Sequence, residues 1–285
     1  MGRAGGGAAS DPGRGGGRIR GVNLDGATCL VTGANRGIGR AIAVELAKRP
    51  VRLLAGVRSL DSWAELDVAG QRVRDVRAVR LDLSSRAAID ACFAQLGREL
   101  DQVDVLVNNA GAMTGGLLEE QAMEEIEAMV QVNLLAAIQL TQRVLPGMLA
   151  RGRGTIVNNA SISGYAYFPS ASTYAASKAG VVAFTESLQR ELRGTGVRTL
   201  QLVTPGVESD MLDATTALYS RHLDTSGWET LPAAEWARRA VEAIEQDRRV
   251  LGPGGRSALA KLASRGPAQL LDAIAARSFS RTPRR

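Results

Sequence analysis

The sequence predicts a single α/β domain built on a doubly wound parallel sheet with helices on both faces. Three observations predict it. Short apolar, β-branched runs alternate with longer stretches of helical periodicity, and no internal repeat interrupts the alternation. Strands and helices in alternation build parallel sheets through right-handed crossovers. The chain has 285 residues, 45% of them apolar, enough for one large core spanning residues 22–252.

Residues 1–21 are rich in Gly and Arg and offer almost nothing to bury, which predicts a disordered extension. The first strand is expected at 27–31, where Ala27, Thr28, Cys29, Leu30 and Val31 form the kind of run that is buried on both faces. A glycine-rich turn follows, and then Ile38, Ile42 and Leu46 recur at helical spacing. Further strands are expected at 51–56, 76–81, 103–107, 155–157 and 197–203, with helices among them at 87–100, 119–149 and 172–192. After Pro253 the texture changes. In the tail 253–285, Leu259, Leu262, Leu270, Leu271, Ile274 and Phe279 alternate with Arg256, Lys261, Arg265 and Arg277, and Gly266-Pro267 divides the pattern. Two readings fit this amphipathic tail: helices packed on the domain or on a second subunit of a homo-oligomer, or peripheral contact of 256–279 with a membrane surface.

Composition excludes several classes. The formal charge is +6, but residues 1–22 and 278–285 each carry a net +3, so the middle of the chain is neutral. The basic pI therefore belongs to the two ends, and no nucleic-acid groove is expected. Cys29 and Cys92 lie in apolar segments with no partner at metal-ligand spacing, and His222 is the single histidine. No metal site is expected; the cysteines read as reduced core residues, and His222 as an exposed residue without a catalytic role. No apolar run is long enough to span a membrane and no secretory signal is present, so the expected location is cytoplasmic, with peripheral membrane contact as the tail's second reading.

The turn after the first strand reads Thr32-Gly33-Ala34-Asn35-Arg36-Gly37-Ile38-Gly39. Gly33 permits a tight turn, Gly37 lets the backbone approach a pyrophosphate, and Gly39 lets the next helix pack closely on the sheet. Free N–H groups at the helix start then face the negative charge. A carboxylate ending the second strand would bind the ribose hydroxyl of NAD, but that strand ends Ala55-Gly56-Val57-Arg58. Arg36 and Arg58 instead suit the 2′-phosphate of NADP, which a guanidinium binds through charge-assisted bonds. The alternative is that both are ordinary surface arginines.

Tyr174-Ala175-Ala176-Ser177-Lys178 sets a tyrosine and a lysine on one helical face, and Ser161 precedes them just past a strand. A free phenol is a poor acid–base at neutral pH, and a nearby ammonium is expected to lower its pKa. Serine would hold the same substrate oxygen while charge develops on it. The alternative, a surface Tyr–Lys pair, ignores the glycine loop upstream.

Taken together, TGANRGIG, Asn108-Asn109-Ala110-Gly111, Asn133, Ser161, YAASK and Pro205-Gly206 resemble the short-chain dehydrogenase/reductase family over roughly residues 24–250. The resemblance implies a Rossmann-type sheet and an NADP(H)-dependent oxidoreductase that interconverts a carbonyl and an alcohol. It implies Tyr174 as the acid–base, Lys178 also on the nicotinamide ribose, Ser161 on the substrate carbonyl, and Asn133 holding a water linked to Lys178. It further implies cofactor contacts from Gly33, Asn35, Arg36, Gly37, Ile38, Gly39 and Arg58. Asp82 and Leu83 belong near the adenine, Asn109, Ala110 and Gly111 along the cofactor, and Pro205, Gly206 and Val207 against the nicotinamide. By residue type alone, the lesser alternatives are a helix-surface or interhelical polar residue for Asn133 and a turn cap for Asp82.

Two departures from the family pattern stand out. Asn158-Asn159-Ala160 precede Ser161 where two serines are usual side by side, and Ser161 is preferred to Ser163 by its distance from Tyr174. Pro205-Gly206-Val207-Glu208-Ser209 is one residue short, leaving Ser209 to replace the threonine that commonly meets the carboxamide. Met211, Ala214, Leu218, Tyr219, Leu223 and Trp228 suggest a mobile apolar lid, and Tyr165, Tyr167 and Phe168 the opposite wall, for a bulky apolar substrate; simple packing of the lid is the alternative. An NADP(H) sensor without turnover is the other functional class that fits, although it has no use for an acid–base.

Overall fold

The computed structural model describes residues 22–226, 228–253 and 279–280. The expected extension 1–21 lies outside the described residues, and so do the tail beyond Pro253 and its segment 256–279, apart from Phe279 and Ser280.

Seven strands form one parallel sheet: β1 (Thr28–Thr32), β2 (Arg52–Val57), β3 (Asp75–Arg80), β4 (Val105–Asn108), β5 (Gly154–Ser161), β6 (Val197–Thr204) and β9 (Val250–Leu251). A separate parallel ribbon pairs β7 (Gly206–Val207) with β8 (Thr230–Leu231). The helices are α1 (Gly37–Ala47), α2 (Arg86–Leu96), α3 (Met123–Val130), α4 (Ala136–Arg151), α5 (Ser172–Glu191), α6 (Asp210–Tyr219) and α7 (Ala233–Glu245). The strand order β3-β2-β1-β4-β5-β6-β9 reverses direction between β1 and β4. Ligands of such sheets bind beyond the strand ends at that reversal, because neighbouring connections leave there in opposite directions and open a crevice.

Alternation along the strands feeds two cores, one per face. Cys29 and Val31 of β1 join Ile42 and Leu46 of α1 with Trp236, Val241 and Ile244 of α7. Leu30, between them, faces Ile89 of α2, Leu140, Val144 and Met148 of α4, and Leu188 of α5. Both cysteines are buried and free, as their apolar surroundings imply. No helix among the described residues is long and apolar enough to cross a membrane.

The elements differ from expectation where polar residues are buried or glycine intervenes. β5 runs on past Val157 to Ser161, through the buried Asn158 and Asn159. The helix expected at 87–100 ends at Leu96, where Gly97 takes φ 51° and a 3-10 segment continues to Gln102. The long helix expected at 119–149 is broken: α3 and α4 are joined by a π-helical turn, Gln131–Leu135, that carries Asn133. Such turns insert an extra residue and redirect side chains, often at functional sites. Neither α7 nor β9 was expected from the apolar pattern.

Candidate active site

The glycine loop is held by contacts that only glycine allows. Gly33 has φ 66°, and a Cβ there would stand 3.1 Å from the Ala110 Cα. A Cβ on Gly39 would lie 2.2 Å from the Gly33 carbonyl oxygen and 2.5 Å from Nδ2 of Asn109. Helix α1, the loop before it and the loop after β4 are thus pressed together. At the start of α1, Arg36 makes no side-chain capping bond and the first turn holds no acidic residue, so the free N–H groups and the positive end of the helix dipole carry no side-chain counterpart. This cradle fits a pyrophosphate. Asn35 donates to Ser62 Oγ (3.3 Å), and Ile38 packs at the edge of the core.

Arg36 and Arg58 are both exposed and follow the adjacent ends of β1 and β2, where Thr32 pairs with Gly56. Neither has an ion pair among the described residues, and the first carboxylate after β2 is Asp61, which accepts from Ser59 Oγ.

Beneath the crevice, amides and hydroxyls form a ladder across four strands. Thr32 Oγ1 accepts from the backbone N–H groups of Asn109 and Ala110, both at 2.9 Å. Asn109 Nδ2 donates to the Thr32 carbonyl (3.1 Å), Asn159 Nδ2 donates to Asn109 Oδ1 (3.0 Å), and Thr204 Oγ1 donates to Asn159 Oδ1. A second row runs from Asn108 Nδ2 to Asn158 Oδ1 (2.8 Å) and from Asn158 Nδ2 to Thr185 Oγ1 (2.9 Å). Thr32, Asn158, Asn159 and Thr204 were not among the expected site residues. The signal available was two consecutive amides in an otherwise buried strand, which must satisfy each other or pay for desolvation.

Ser161 closes β5, while Tyr174 and Lys178 lie one turn apart on α5; all three are buried. The Tyr174 phenol is hydrogen-bonded to the Ser161 side chain. Lys178 Nζ donates to the Asn159 carbonyl (2.9 Å) and stands 5.8 Å from the centre of the Tyr174 ring. From the π turn, Asn133 accepts the Ala112 N–H (2.8 Å) and donates to the Ala112 carbonyl (2.9 Å) and to Ser177 Oγ (3.0 Å). A Cβ on Gly111 would lie 3.3 Å from Asn133 Oδ1 and 3.8 Å from Lys178 Nζ, so the loop passes directly over both. The four expected catalytic residues therefore meet around one end of the crevice.

Their electrostatics differ from expectation. Burial pushes the Tyr174 phenol up to about 12, with the Ser161 bond pulling the other way. Burial pulls the Lys178 ammonium down to about 8. Desolvation favours the neutral form of each group. In the protein alone the phenol is thus held protonated, and the expected lowering by the lysine is not met.

The remaining expected residues are placed as follows. Asp82 Oδ1 accepts the Ser84 N–H (3.0 Å), forming a turn, and buried Leu83 accepts from Gln131 Nε2 (3.3 Å). Pro205 leads into the ribbon, where a Cβ on Gly206 would meet the Glu229 carbonyl at 2.7 Å, and Val207 is buried. Ser209 accepts the Leu212 N–H (3.3 Å) and so caps α6. Its Cβ is 3.7 Å from where a Cβ on Gly37 would stand, which lays the start of α6 over the glycine loop. Met211 and Ala214 are exposed on α6, and Phe168 lies 6.1 Å from Trp228. Tyr167 is exposed. Tyr165 is not a wall residue: it is buried and accepts from Gln201 Nε2 at 2.6 Å. The expected exposure of His222 is also corrected, since it is 1% exposed. Residues 279–280 return to it, pairing Phe279 with Leu223 and placing the Ser280 carbonyl 3.0 Å from Nδ1 of the imidazole.

Comparison with known proteins agrees with this geometry. The short chain dehydrogenase family model matches residues 27–219, more than half the chain. The 3-oxoacyl-acyl-carrier-protein reductase FabG of Vibrio cholerae is 37% identical over 196 residues, covering 68% of this chain and 78% of that protein. The Escherichia coli protein of the same name is 34% identical over 194 residues, with the same coverage. Among solved structures, a short-chain dehydrogenase from Streptomyces avermitilis superposes with a TM-score of 0.71 at 26% identity, covering 90% of this chain and 96% of that one. One from Sphingobium yanoikuyae in complex with NADPH gives 0.68 at 26% identity, covering 88% and 93%. The chain belongs to the short-chain dehydrogenase/reductase family and is an oxidoreductase that works between a carbonyl and an alcohol with a nicotinamide cofactor.

Proposed function

We propose that the enzyme reduces an apolar ketone or aldehyde, of the 3-oxoacyl kind, at the expense of NADPH. The observation that carries the reading is the meeting of buried Ser161, Tyr174 and Lys178 at the end of the crevice, with the Tyr174 phenol bonded to Ser161 and Lys178 5.8 Å from its ring. Ser161 donates a hydrogen bond to the substrate carbonyl oxygen, polarising it. Tyr174 gives its proton to that oxygen as negative charge develops there. Lys178, anchored on the Asn159 carbonyl, supports the phenol and holds the ribose, and Asn133 fixes the loop that passes over it and holds the water linked to Lys178. A nicotinamide held in the crevice would supply the hydride, which with the proton from Tyr174 would convert the carbonyl to an alcohol.

Gly33, Asn35, Gly37, Ile38 and Gly39 hold the pyrophosphate in this reading, Asp82 and Leu83 flank the adenine, and Asn109, Ala110 and Gly111 run beneath the cofactor. Pro205, Gly206, Val207 and Ser209 take the nicotinamide side. Arg36 and Arg58 select NADP(H) over NAD(H), since both are exposed, lack ion pairs among the described residues, and follow adjacent strand ends. The names of the two FabG relatives and the NADPH bound in the Sphingobium structure support the substrate class and the cofactor. Nothing in the site or its relatives favours a sensor without turnover. A homo-oligomer in the cytoplasm completes the reading.

NADPH consumption is measured against long-chain β-keto esters, aldehydes and simple ketones, and NADPH and NADH affinities are compared before and after Arg58→Asp. The reading expects turnover and NADPH binding at least tenfold tighter, a margin reduced or reversed by the substitution. Equal affinities in the unsubstituted enzyme would contradict the cofactor assignment.

A further inference from the structure

Tyr219 ends α6 with 3% of its surface exposed, yet its hydroxyl has no hydrogen-bond partner among the described residues. Buried phenols ordinarily find one, and an orphan marks a group awaiting a ligand or water. The ring is fixed in place. One edge lies against Gly115 in the loop after β4, where a Cβ would stand 2.1 Å from Cε1 of Tyr219 and 2.7 Å from the Ser170 carbonyl. Trp228 meets the ring edge-on at 6.1 Å and is itself 6.1 Å from Phe168. Ser170, packed on the same glycine and held at φ 64°, also has a buried hydroxyl without a partner among the described residues. Burial and the nearby Tyr174 phenol both push the Tyr219 phenol upward, so it remains a donor. Gly115 belongs to the loop that passes over Asn133 and Lys178, and Ser170 precedes Tyr174 by four residues, which sets the Tyr219 ring on the catalytic side of the crevice.

We propose that Tyr219 is a substrate-binding residue whose hydroxyl donates to a second oxygen of the substrate, next to the carbonyl held by Ser161 and Tyr174. Its ligand class is a compound with two neighbouring oxygens, such as a β-keto ester or thioester, preferred over a ketone of equal size with one. The inference rests on the carbonyl-reductase reading and narrows its substrate. An apolar pocket alone separates such a pair weakly, whereas a donor left unpaired by the wrong ligand discriminates.

Tyr219→Phe keeps the ring and its contacts while removing only the unpartnered oxygen. Ethyl 3-oxohexanoate and 4-nonanone, which have the same chain length and ketone position, serve as the matched pair. The substitution is expected to lower kcat/KM for the keto ester about fivefold, the worth of one neutral hydrogen bond, and leave the ketone within about twofold. Its melting temperature is expected not to fall, since nothing among the described residues bonds the hydroxyl. Equal losses on both substrates, or none on either, would overturn the assignment. Calorimetric binding of both compounds to NADPH-loaded Tyr174→Phe, with and without Tyr219→Phe, separates binding from turnover. Selective weakening of the keto ester there supports Tyr219 even if the unsubstituted enzyme reduces neither compound, in which case only the reductase reading fails. Turnover of both by the unsubstituted enzyme with no selective loss in Tyr219→Phe leaves that reading standing and refutes the role of Tyr219.

Discussion

Gly39→Ala puts a methyl group 2.2 Å from the Gly33 carbonyl oxygen, 2.5 Å from Asn109 Nδ2 and 2.8 Å from the Gly33 carbonyl carbon. An unstrained carbon–oxygen contact is about 3.3 Å, so α1 must retreat by about 1 Å or its neighbours must move. Neither neighbour yields easily. The oxygen is backbone of a residue at φ 66°, and the Asn109 amide is bonded to the Thr32 carbonyl at 3.1 Å. Overpacking of this kind costs about 1–3 kcal/mol, and losing the Asn109 bond adds about 1 kcal/mol. Stability should therefore fall by about 2–4 kcal/mol, which lowers the melting temperature by roughly 10 °C in a domain of this size. The same displacement moves the cradle of N–H groups, so NADPH affinity, followed by fluorescence titration, should weaken at least tenfold, on the order of the loss of one charge-assisted bond. Gly252→Ala is the control, because a Cβ there meets nothing within 4 Å among the described residues. A Gly39→Ala protein that melts within about 1 °C of the unsubstituted enzyme and binds NADPH equally well would refute the close-packed loop.

Two further outcomes follow. Lys178 is depressed to about 8 in the folded enzyme, below its value in the unfolded chain, so above that pH the unfolded state binds the extra proton and stability from this group rises. Tyr174 opposes this only once its unfolded value near 10 is passed. The buried thiols of Cys29 and Cys92, both pushed up by burial, lower stability above about pH 9 in either protein, so the lysine is read as a difference: between pH 8 and 10 the unsubstituted enzyme should gain about 2 kcal/mol relative to Lys178→Met in denaturant titrations, and parallel pH profiles would show that the lysine is not desolvated. Asn159→Ala strips partners from Asn109 Oδ1 and Thr204 Oγ1 while sparing the backbone carbonyl that holds Lys178. It should cost about 2–4 kcal/mol of stability and leave kcat within a few-fold; full stability would mean that the ladder is slack.

What was legible in the sequence was local chemistry at fixed spacing. Tyr174 and Lys178 one turn apart, Ser161 at a strand end and glycines at a strand–helix junction each need only a known backbone period to be placed. What was hidden depends on distant partners. Asn158 and Asn159 looked like the end of a strand because buried amides are costly alone, yet Asn108 and Thr185 satisfy the first, and Asn109 and Thr204 the second. The π turn at Gln131–Leu135 leaves no periodic trace, since it is held by the bonds of Asn133 to Ala112. His222 looked exposed because the residues that cover it lie 58 positions further along the chain. The sign of the Tyr174 shift failed for a related reason: the sequence names the neighbouring cation but not the depth of burial, and burial prevails.

The most direct test of the account is Tyr174→Phe, assayed for NADPH-dependent carbonyl reduction alongside NADPH binding. Loss of the proton donor should cut kcat by about 10²–10⁴ while cofactor affinity stays within about twofold. Turnover that survives the substitution within about threefold, with the cofactor still bound, would contradict the claim that this phenol delivers the proton.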